Sequence, residues 1–526
     1  MKPIIKVLAF LTLSFVLCCT ILVTVILIND FALREYLALK LSDLAKNDLP
    51  KVINPQYQFE NNLSTIELIL DPSSISNLKK QIKKKLSSND PNDFGKSNWK
   101  DVKGVLLNEK KDSCFIDIRI RGDMPSNYNR GLTDATYRLN MTEGKCFEKR
   151  KFSLIRPFLE NHSFYGYLYY NFIRTKNLFL ATEFHFINLT LNGEDVGIYI
   201  FQEAFSDDLA IGQHYPSGII FKFTDDCYDR NGTYNQDSLP QLILYDKKRT
   251  FKSSYLSHHY DQAIYLFNLF RHKQIPIDSI FDLEKFAEFA AINEIFAAHH
   301  ANYCQNIRLF YNSDTEKFEP IAWDPNNFSR YLLSQQTSPL PVTNGFNKFF
   351  FEYSKNATKF PIYHLLSQSD TFQLLFSKAL SRYLFDNSII EYLSSQKAFI
   401  SSLESAIFYQ NFQQTFNENL IIERIKFIKS QLSKSNNLQG LVSIHSNICT
   451  VSITSNNIFP IQIDKLVMLN TTFNLSNINV NYKERFVKNF VINESERKLE
   501  RNYYIEYHFL SNRTDTLRYS DFTIFQ

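Results

Sequence analysis

The hydrophobic pattern of this chain changes its period twice, and this change constrains the fold more than any other feature. Over 115–121 apolar and polar residues alternate, as they do in a half-buried strand. The segments 255–271, 281–301 and 360–435 instead carry apolar residues at helical spacing. Alternation returns from about 441. The sequence therefore predicts an α+β protein with a β-rich part, a helical part and a C-terminal β-rich module.

The distribution of glycine supports the first of these boundaries. The chain has 13 glycines, of which eight lie between Gly122 and Gly218, whereas Gly345 is the only one between 233 and 439. Glycine is frequent in turns because it adopts positive φ at little cost. The Asn192-Gly193 pair between two alternating segments predicts a tight hairpin turn. We therefore expect many short strands before about residue 230 and helices after it.

An uncharged apolar segment at the N-terminus bears on the compartment. Residues 7–28 contain no charged side chain, and about 20 apolar residues span a bilayer as a helix. Lys2 and Lys6 precede the segment, which places the N-terminus in the cytoplasm. No Ala-x-Ala cleavage pattern is present, so an uncleaved anchor is favoured over a secretory signal. We expect a single-pass membrane protein whose bulk is extracytoplasmic.

The balance of charges excludes one class of partner. The chain has 58 basic and 54 acidic side chains, for a net charge of +4. A dedicated nucleic-acid binder concentrates basic residues in a stripe or has a strongly basic domain. We therefore expect no nucleic-acid partner.

The cysteines outside the apolar segment lack the spacing of a metal or redox motif. There are five of them, and no two have CxxC spacing. Their odd number leaves at least one thiol unpaired within the chain. Cys114 and Cys146 form the first pair to test for a disulfide, and buried free thiols are the preferred interpretation.

Several common catalytic motifs are absent. The chain has no Gly-x-Ser-x-Gly elbow, Walker A loop or GxGxxG. The pairs 258–259 and 299–300 are histidines, but neither has the i, i+4 spacing of a helical zinc site. The RGD triplet at 121–123 is explained by a strand that ends in a turn. Metal binding by histidine and integrin binding are therefore minor alternatives.

The segment 306–324 is more informative about chemistry. Its pattern predicts a hairpin that begins at Asn306 and ends at Asp324. An amide and a carboxylate at the two ends of one hairpin converge on a single point. Oxygen ligands of this kind suit Mg²⁺, which keeps several waters and binds phosphates through one or two protein ligands. The alternative is a hairpin whose polar ends cap turns.

Six segments occur in a fixed order over roughly 110–330. They are IRIRGD (118–123), TYRLNM (136–141), KFSLI (151–155), LTLNGEDVGIYIFQE (189–203), GIIFKF (218–223) and NIRLFYNSDTEKFEPIAWD (306–324). Each resembles a strand, hairpin or turn of the CotH kinase family, the spore-coat protein H type of atypical protein kinase.

The resemblance implies an atypical kinase-like two-lobe fold that binds ATP with Mg²⁺ or Mn²⁺ and phosphorylates Ser residues of a surface or envelope protein. Asn306 and Asp324 would be the metal ligands, and Glu203 would lie near the nucleotide. A basic strand residue, either Arg138 or Lys222, would face phosphate. Phosphoryl transfer needs positioned positive charge around the γ-phosphate and an oriented hydroxyl.

The chain departs from the family pattern at two positions. The family has an acidic residue, the catalytic base, five positions before the asparagine, and Ala301 stands there in this chain. His300 is a candidate substitute, shifted by one residue. The family often has a second acid two positions after the aspartate, and here that position is Asn326. A catalytically inactive pseudokinase with a structural, adhesion or assembly role is therefore the alternative function, and a glycan-processing enzyme is a third.

The expected organisation adds an N-terminal transmembrane helix and a C-terminal β-rich module to the kinase-like fold. Its parts are a cytoplasmic tail (1–6), a transmembrane anchor (7–28), a stalk (29–105), a β-rich N-lobe-like part (106–230), a helical C-lobe-like part (231–440) and a β-rich C-terminal module (441–526).

Overall fold

A computed structural model gives the fold of most of the chain after the N-terminal segment. It describes 63–87, 98–110, 112–122, 125–157, 163–224, 240–325, 361–366, 369–411, 416–432 and, apart from short gaps between strands, 438–525. The predicted anchor at 7–28 lies outside the described residues. Within the described ranges, no helix combines the length and apolarity that crossing a membrane requires.

The described residues form a mixed α+β structure. The strands are β1 Thr65–Ile69, β2 Val102–Leu107, β3 Ser113–Ile120, β4 Tyr137–Met141, β5 Lys151–Ile155, β6 Leu180–Ala181, β7 Phe184–Leu191, β8 Glu194–Glu203, β9 Gly218–Phe223, β10 Leu242–Leu244, β11 Arg308–Asn312, β12 Lys317–Ala322, β13 Leu438–His445, β14 Ile448–Ser455, β15 Ile461–Met468, β16 Thr471–Val480, β17 Arg485–Val491, β18 Tyr503–Phe509, β19 Arg513–Arg518 and β20 Phe522–Phe525.

The helices lie mainly between β10 and β13. They are α1 Pro72–Leu86, α2 Ser163–Thr175, α3 Asp207–Ile211, α4 Lys247–Lys252, α5 Ser254–Arg271, α6 Ile277–Ile280, α7 Leu283–Ile295, α8 Pro361–Leu366, α9 Asp370–Phe385, α10 Ser388–Asn411 and α11 Asn419–Leu432.

Seven strands close into a barrel in the order β1-β2-β3-β4-β5-β8-β7. The turn between β7 and β8 has Asn192 at φ 51° and Gly193 at φ 80°, which confirms the predicted Asn-Gly hairpin. β1 closes the barrel by pairing in parallel with β7, Thr65 opposite Asn188. Part of the segment expected to be a stalk therefore supplies strands to the barrel.

A second sheet has the order β10-β9-β11-β12-β6 and supports the predicted Asn306–Asp324 hairpin. Alternate residues of a strand point to opposite faces. One face carries Phe221 and Phe318, whose rings meet those of α5, where Phe267 lies 5.8 Å from Phe318. The other face carries Phe310, which belongs to a buried cluster with Phe205.

The helix expected over 281–301 is shorter than the sequence predicts. α7 runs from Leu283 to Ile295, and nearly all of it is buried, so its sequence does not show a single apolar face. Ala297 adopts φ 53°, which a right-handed helix does not accommodate. A separate 3₁₀ turn, His299–Asn302, follows.

The C-terminal region is β-rich, as the alternating pattern predicts. Its strands form two four-stranded sheets, β17-β14-β13-β20 and β16-β15-β18-β19. All pairs within them are antiparallel except β13 with β20, which is parallel.

The chain divides into two compact units. Asp71–Val102 and Arg119–Thr136 belong to the first, and Leu63–Leu70, Lys103–Ile118 and Tyr137–Gln526 form the second. In the first unit the Trp99 indole donates to the Gly122 carbonyl at 3.1 Å. Every residue of the candidate site described next belongs to the second unit.

Candidate active site

The loop after α7 is held in place by buried amides. Asn293, within α7, accepts a hydrogen bond from the Tyr169 hydroxyl on α2 at 2.6 Å. Its amide nitrogen donates to Asn302 Oδ1 at 2.6 Å, in the 3₁₀ turn that also contains His300. Asn293 and Asn302 are both buried, where an unpaired amide is costly, so these bonds restrict the turn to one position.

Three predicted site residues meet beside this turn. The Asn306 amide nitrogen lies 2.9 Å from the His300 carbonyl oxygen and 3.1 Å from His300 Nδ1. His300 Nδ1 lies 3.1 Å from Asp324 Oδ2. The hairpin thus brings Asn306 and Asp324 to the same histidine, as their spacing predicts. Their role as metal ligands, and that of His300 in catalysis, stay predictions.

Asp324 has a left-handed backbone conformation. Its φ is 49°, which is uncommon for residues other than glycine but which aspartate adopts more readily than most. The hydroxyl of Tyr170 accepts a hydrogen bond from the Asp324 backbone N–H at 3.0 Å. The Asp324 side chain remains 22% exposed, which leaves its carboxylate accessible to a ligand.

The contacts of His300 constrain its protonation. In neutral imidazole one nitrogen carries the proton and the other accepts. Because the Asp324 carboxylate attracts a proton donor, the arrangement favours Nδ1–H facing Asp324 Oδ2 and leaves Nε2 as the acceptor. The Asn306 amide then donates to the His300 carbonyl oxygen and not to Nδ1. The His300 side chain is 28% exposed, so a hydroxyl from outside has access to it.

A second charged group joins Glu203, which the sequence predicts near the nucleotide, to Lys149, which the sequence analysis does not predict. Lys149 Nζ lies 2.7 Å from Glu203 Oε1, and both side chains are almost completely buried. Glu203 Oε2 accepts from the Glu183 backbone N–H at 3.1 Å and lies 3.9 Å from Arg174 NH1. Burial raises the pKa of the Glu203 carboxyl, against the opposing effect of Lys149.

Glu183 extends this group toward solvent. Its Oε2 lies 3.4 Å from Lys149 Nζ, and its Oε1 lies 3.4 Å from His185 Nδ1. Burial opposes ionisation, but His185, Lys149 and Arg174 outweigh it and lower the pKa of Glu183 to about 2. Lys149 is therefore held between two carboxylates, one buried and one half-buried.

Lys149 owes its position to a tight turn rather than to a strand. Cys146 and Lys149 exchange two backbone hydrogen bonds of 2.9 Å across Phe147 and Glu148, which have φ of 52° and 59°. Positive φ at both central residues is the geometry of a two-residue hairpin turn. Without glycine or asparagine at these positions the sequence carries no turn signal, so the buried lysine was not predicted.

Arg138 and Lys222, the basic residues predicted to face phosphate, lie on different sheets. Arg138 is opposite Ser153 on β5, whereas Glu203 is opposite Phe152, so Arg138 and Glu203 point to opposite faces of the barrel wall. Lys222 is opposite Arg308, in the same row as the end of the Asn306–Asp324 hairpin. That Arg138 or Lys222 faces phosphate stays a prediction.

The residue at the position of the expected catalytic acid has no side-chain group that could take part in catalysis. Ala301 is buried, and its methyl group neither accepts a proton nor binds a metal. Asn326, where the second acid is expected, lies outside the described residues. Across the described part of the chain, no three His, Cys, Asp or Glu side chains form a group that would hold a metal. Asp324 would therefore bind Mg²⁺ only together with amide, water and phosphate oxygens.

A comparison with protein families confirms the family that the six segments resemble. A family model described as CotH kinase protein matches residues 118–435, more than half of the chain. The matched segment contains Lys149, Glu203, His300, Asn306 and Asp324. A search of curated proteins gave no match.

Proposed function

Because the chain belongs to the CotH kinase family, we propose that it is a membrane-anchored protein kinase with a two-lobe kinase-like fold. It transfers the γ-phosphate of ATP to a serine of a surface or envelope protein. The convergence of His300, Asn306 and Asp324 on one point is the observation that carries this proposal.

The residues present fit a divalent cation bound together with a nucleotide. Mg²⁺ or Mn²⁺ would be held by the Asp324 carboxylate and the Asn306 amide oxygen, with phosphate and water completing the site. When bound, the cation neutralises negative charge on the phosphates. The left-handed conformation of Asp324, supported by Tyr170, is consistent with a carboxylate held for a ligand.

Lys149 is the basic residue best placed to act as the phosphate-binding lysine of protein kinases. In those enzymes a lysine paired with a glutamate contacts the phosphates, and Lys149 pairs with Glu203 here. Arg138 and Lys222 remain proposed contributors of positive charge. Glu203 orients Lys149 and would lie near the nucleotide.

His300 is the proposed base. Nδ1–H directed at Asp324 leaves Nε2 to accept the proton of the serine hydroxyl. This assignment replaces the acid that the family has at the position of Ala301.

The compartment is proposed from two observations. Cys304, two residues before Asn306, is disulfide-bonded, and such bonds persist in oxidising compartments outside the cytosol. The apolar segment 7–28 is proposed as the anchor, with the N-terminus in the cytoplasm. The partners are then a protein substrate at the cell surface or envelope and the membrane itself, without nucleic acid.

A specific observation favours a second candidate function. Ala301 removes the acid on which transfer depends in the family, and His300 is already engaged by Asp324. A kinase-like protein of this kind binds nucleotide without transferring phosphate and serves a structural, adhesion or assembly role.

Transfer of labelled γ-phosphate separates the two candidates. The full chain, in detergent with Mg²⁺, is assayed for phosphorylation of itself and of envelope proteins, with phosphoserine identified by mass spectrometry. Asp324→Ala is expected to abolish both transfer and stabilisation by Mg·ATP. His300→Ala is expected to abolish transfer and retain stabilisation by Mg·ATP.

The matched control is Asp314→Ala, an exposed aspartate in the turn of the same hairpin, which is expected to leave both readouts unchanged. Stabilisation by Mg·ATP without transfer in the native chain supports the inactive kinase-like function. No stabilisation in the native chain, with either Mg²⁺ or Mn²⁺, refutes both candidates.

A further inference from the structure

Two cysteines lie close together at the base of the turn that carries Lys149. Cys114 lies on β3, and Cys146 begins the turn between β4 and β5. The Cys114 thiol donates to the carbonyl oxygen of Lys145, the residue before Cys146, at 3.7 Å. Burial and the adjacent Cys114 raise the pKa of the Cys146 thiol. Both are free thiols in this structure, Cys114 half-buried and Cys146 buried.

The surrounding backbone keeps the two cysteines together. Thr142, at the end of β4, donates its backbone N–H to the Phe115 carbonyl on β3 at 2.9 Å. On the other side of the turn, Asp208 accepts from the Arg150 backbone N–H at 2.9 Å and pairs with Lys145 Nζ at 3.0 Å. A disulfide needs Cβ atoms about 4 Å apart with little backbone movement. The Cys114 sulfur already lies 3.7 Å from the carbonyl oxygen of the residue that precedes Cys146.

We propose that Cys114 and Cys146 are a redox-active dithiol site, which a disulfide-class oxidant such as oxidised glutathione converts to a disulfide between β3 and the Lys149 turn. The proposal does not depend on phosphoryl transfer. The disulfide already present at Cys304 shows that the fold accommodates oxidised cysteine close to the candidate active site.

The reaction is two successive thiol–disulfide exchanges. The Cys114 thiolate, the more exposed of the two, attacks one sulfur of oxidised glutathione, which forms a mixed disulfide and releases one glutathione thiolate. The Cys146 thiolate then attacks the Cys114 sulfur and releases the second glutathione. Both cysteines lose a proton, and the two electrons reduce oxidised glutathione to two thiols.

The order of the two attacks follows from burial. Burial and the adjacent Cys114 raise the pKa of Cys146 to about 12, so little of this thiol is ionised at neutral pH. The second exchange is therefore the slow step and accelerates as pH rises.

Oxidation would hold the turn that carries Lys149 at two places. The turn is already tied to Asp208, and the new bond would tie it to β3. Because Cys146 and Lys149 exchange two backbone hydrogen bonds, the same bond restricts the lysine that pairs with Glu203. The bond would close a loop of roughly 30 residues, which predicts a rise in melting temperature of about 5 °C.

Peptide mapping without reduction tests the proposal directly. The folded full chain is incubated with oxidised glutathione at pH 8, its remaining thiols are alkylated, and it is digested with trypsin. The expected product is the peptide DSCFIDIR (112–119) linked to CFEK (146–149). Cys114→Ser is expected to give CFEK with an alkylated thiol and no rise in melting temperature, and the Cys304 disulfide serves as an internal control in both samples.

Three outcomes overturn the proposal. One is that both peptides carry alkylated thiols after oxidation while Cys304 stays linked. The second is that Cys114 retains glutathione and Cys146 is alkylated only after unfolding, which makes Cys114 a site of glutathione attachment alone. The third is that the linked peptide forms at the same rate from the unfolded chain as from the folded chain. The folded structure would then not be what brings the two cysteines together.

Discussion

Replacing Lys149 by methionine tests whether the buried Lys149–Glu203 ion pair contributes to the free energy of unfolding. Lys149→Met removes the 2.7 Å contact and leaves a buried carboxylate with the Glu183 N–H at 3.1 Å and Arg174 at 3.9 Å. Breaking a buried ion pair by removing one partner typically costs 3–5 kcal/mol. Because two donors remain, we expect the lower end, about 3 kcal/mol at pH 8.

The double variant separates a lost pair from lost packing. Glu203→Gln alone leaves Lys149 with Glu183 at 3.4 Å, and we expect a loss of about 2 kcal/mol. In Lys149→Met with Glu203→Gln no uncompensated charge is buried. We expect the double variant to lose about 2 kcal/mol rather than the sum of about 5, a coupling of about 3 kcal/mol.

The pH dependence of the stability loss in Lys149→Met gives an independent check, because its direction follows from the pKa of Glu203. Burial raises the pKa of Glu203 in the folded protein, and removing Lys149 raises it further. A carboxyl with a raised pKa loses stability as pH rises from its unfolded value, because the folded state must release a proton it holds more tightly. The loss in Lys149→Met should therefore be small near pH 5 and complete at pH 8.

Urea unfolding of the four proteins at pH 5 and pH 8, followed by circular dichroism, measures these differences as shifts of the midpoint at constant slope. Lys151→Met is the matched control, because this lysine two residues along the chain is half-buried and makes only a long contact of 3.7 Å with Asp246. It is expected to change stability by less than about 0.5 kcal/mol. Additive single losses, or a loss in Lys149→Met that is equal at both pH values, would refute the reasoning.

Three further predictions concern residues around the site. The low pKa of Glu183, about 2, contributes stability that is present above about pH 4.5 and lost as pH falls toward 2. Glu183→Gln should therefore remove about 2 kcal/mol at pH 7 and flatten this acid dependence in urea titrations. Tyr170→Phe removes the acceptor of the Asp324 N–H, and calorimetry should show Mg·ATP binding weakened about fivefold. Asn293→Ala breaks the Tyr169–Asn293–Asn302 chain and should cost about 3 kcal/mol in urea unfolding, whereas unchanged stability would show that the chain does not hold the loop.

Local patterns were sufficient for much of the fold. Apolar alternation predicted β3 and the C-terminal sheets, and Asn192-Gly193 predicted the β7–β8 turn, because backbone preferences act between near neighbours. The convergence of Asn306 and Asp324 was also predictable, since a hairpin of short strands brings its own two ends together. The helix over 281–301 was overestimated because the positive φ of Ala297 has no signal in that sequence.

Contacts between distant segments were decided by the tertiary structure alone. Neither the parallel pairing of β1 with β7 nor the burial of Lys149 against Glu203 follows from local sequence, because both depend on how the barrel closes. Register decided that Arg138 faces away from Glu203. A lysine in a sequence is usually solvated, and only a closed barrel that supplies two carboxylates makes its burial favourable. The sequence by itself thus determined many of the strands, helices and turns, because backbone preferences act between near neighbours. The tertiary structure decided the remaining elements, such as the turn that carries Lys149, and which charges meet.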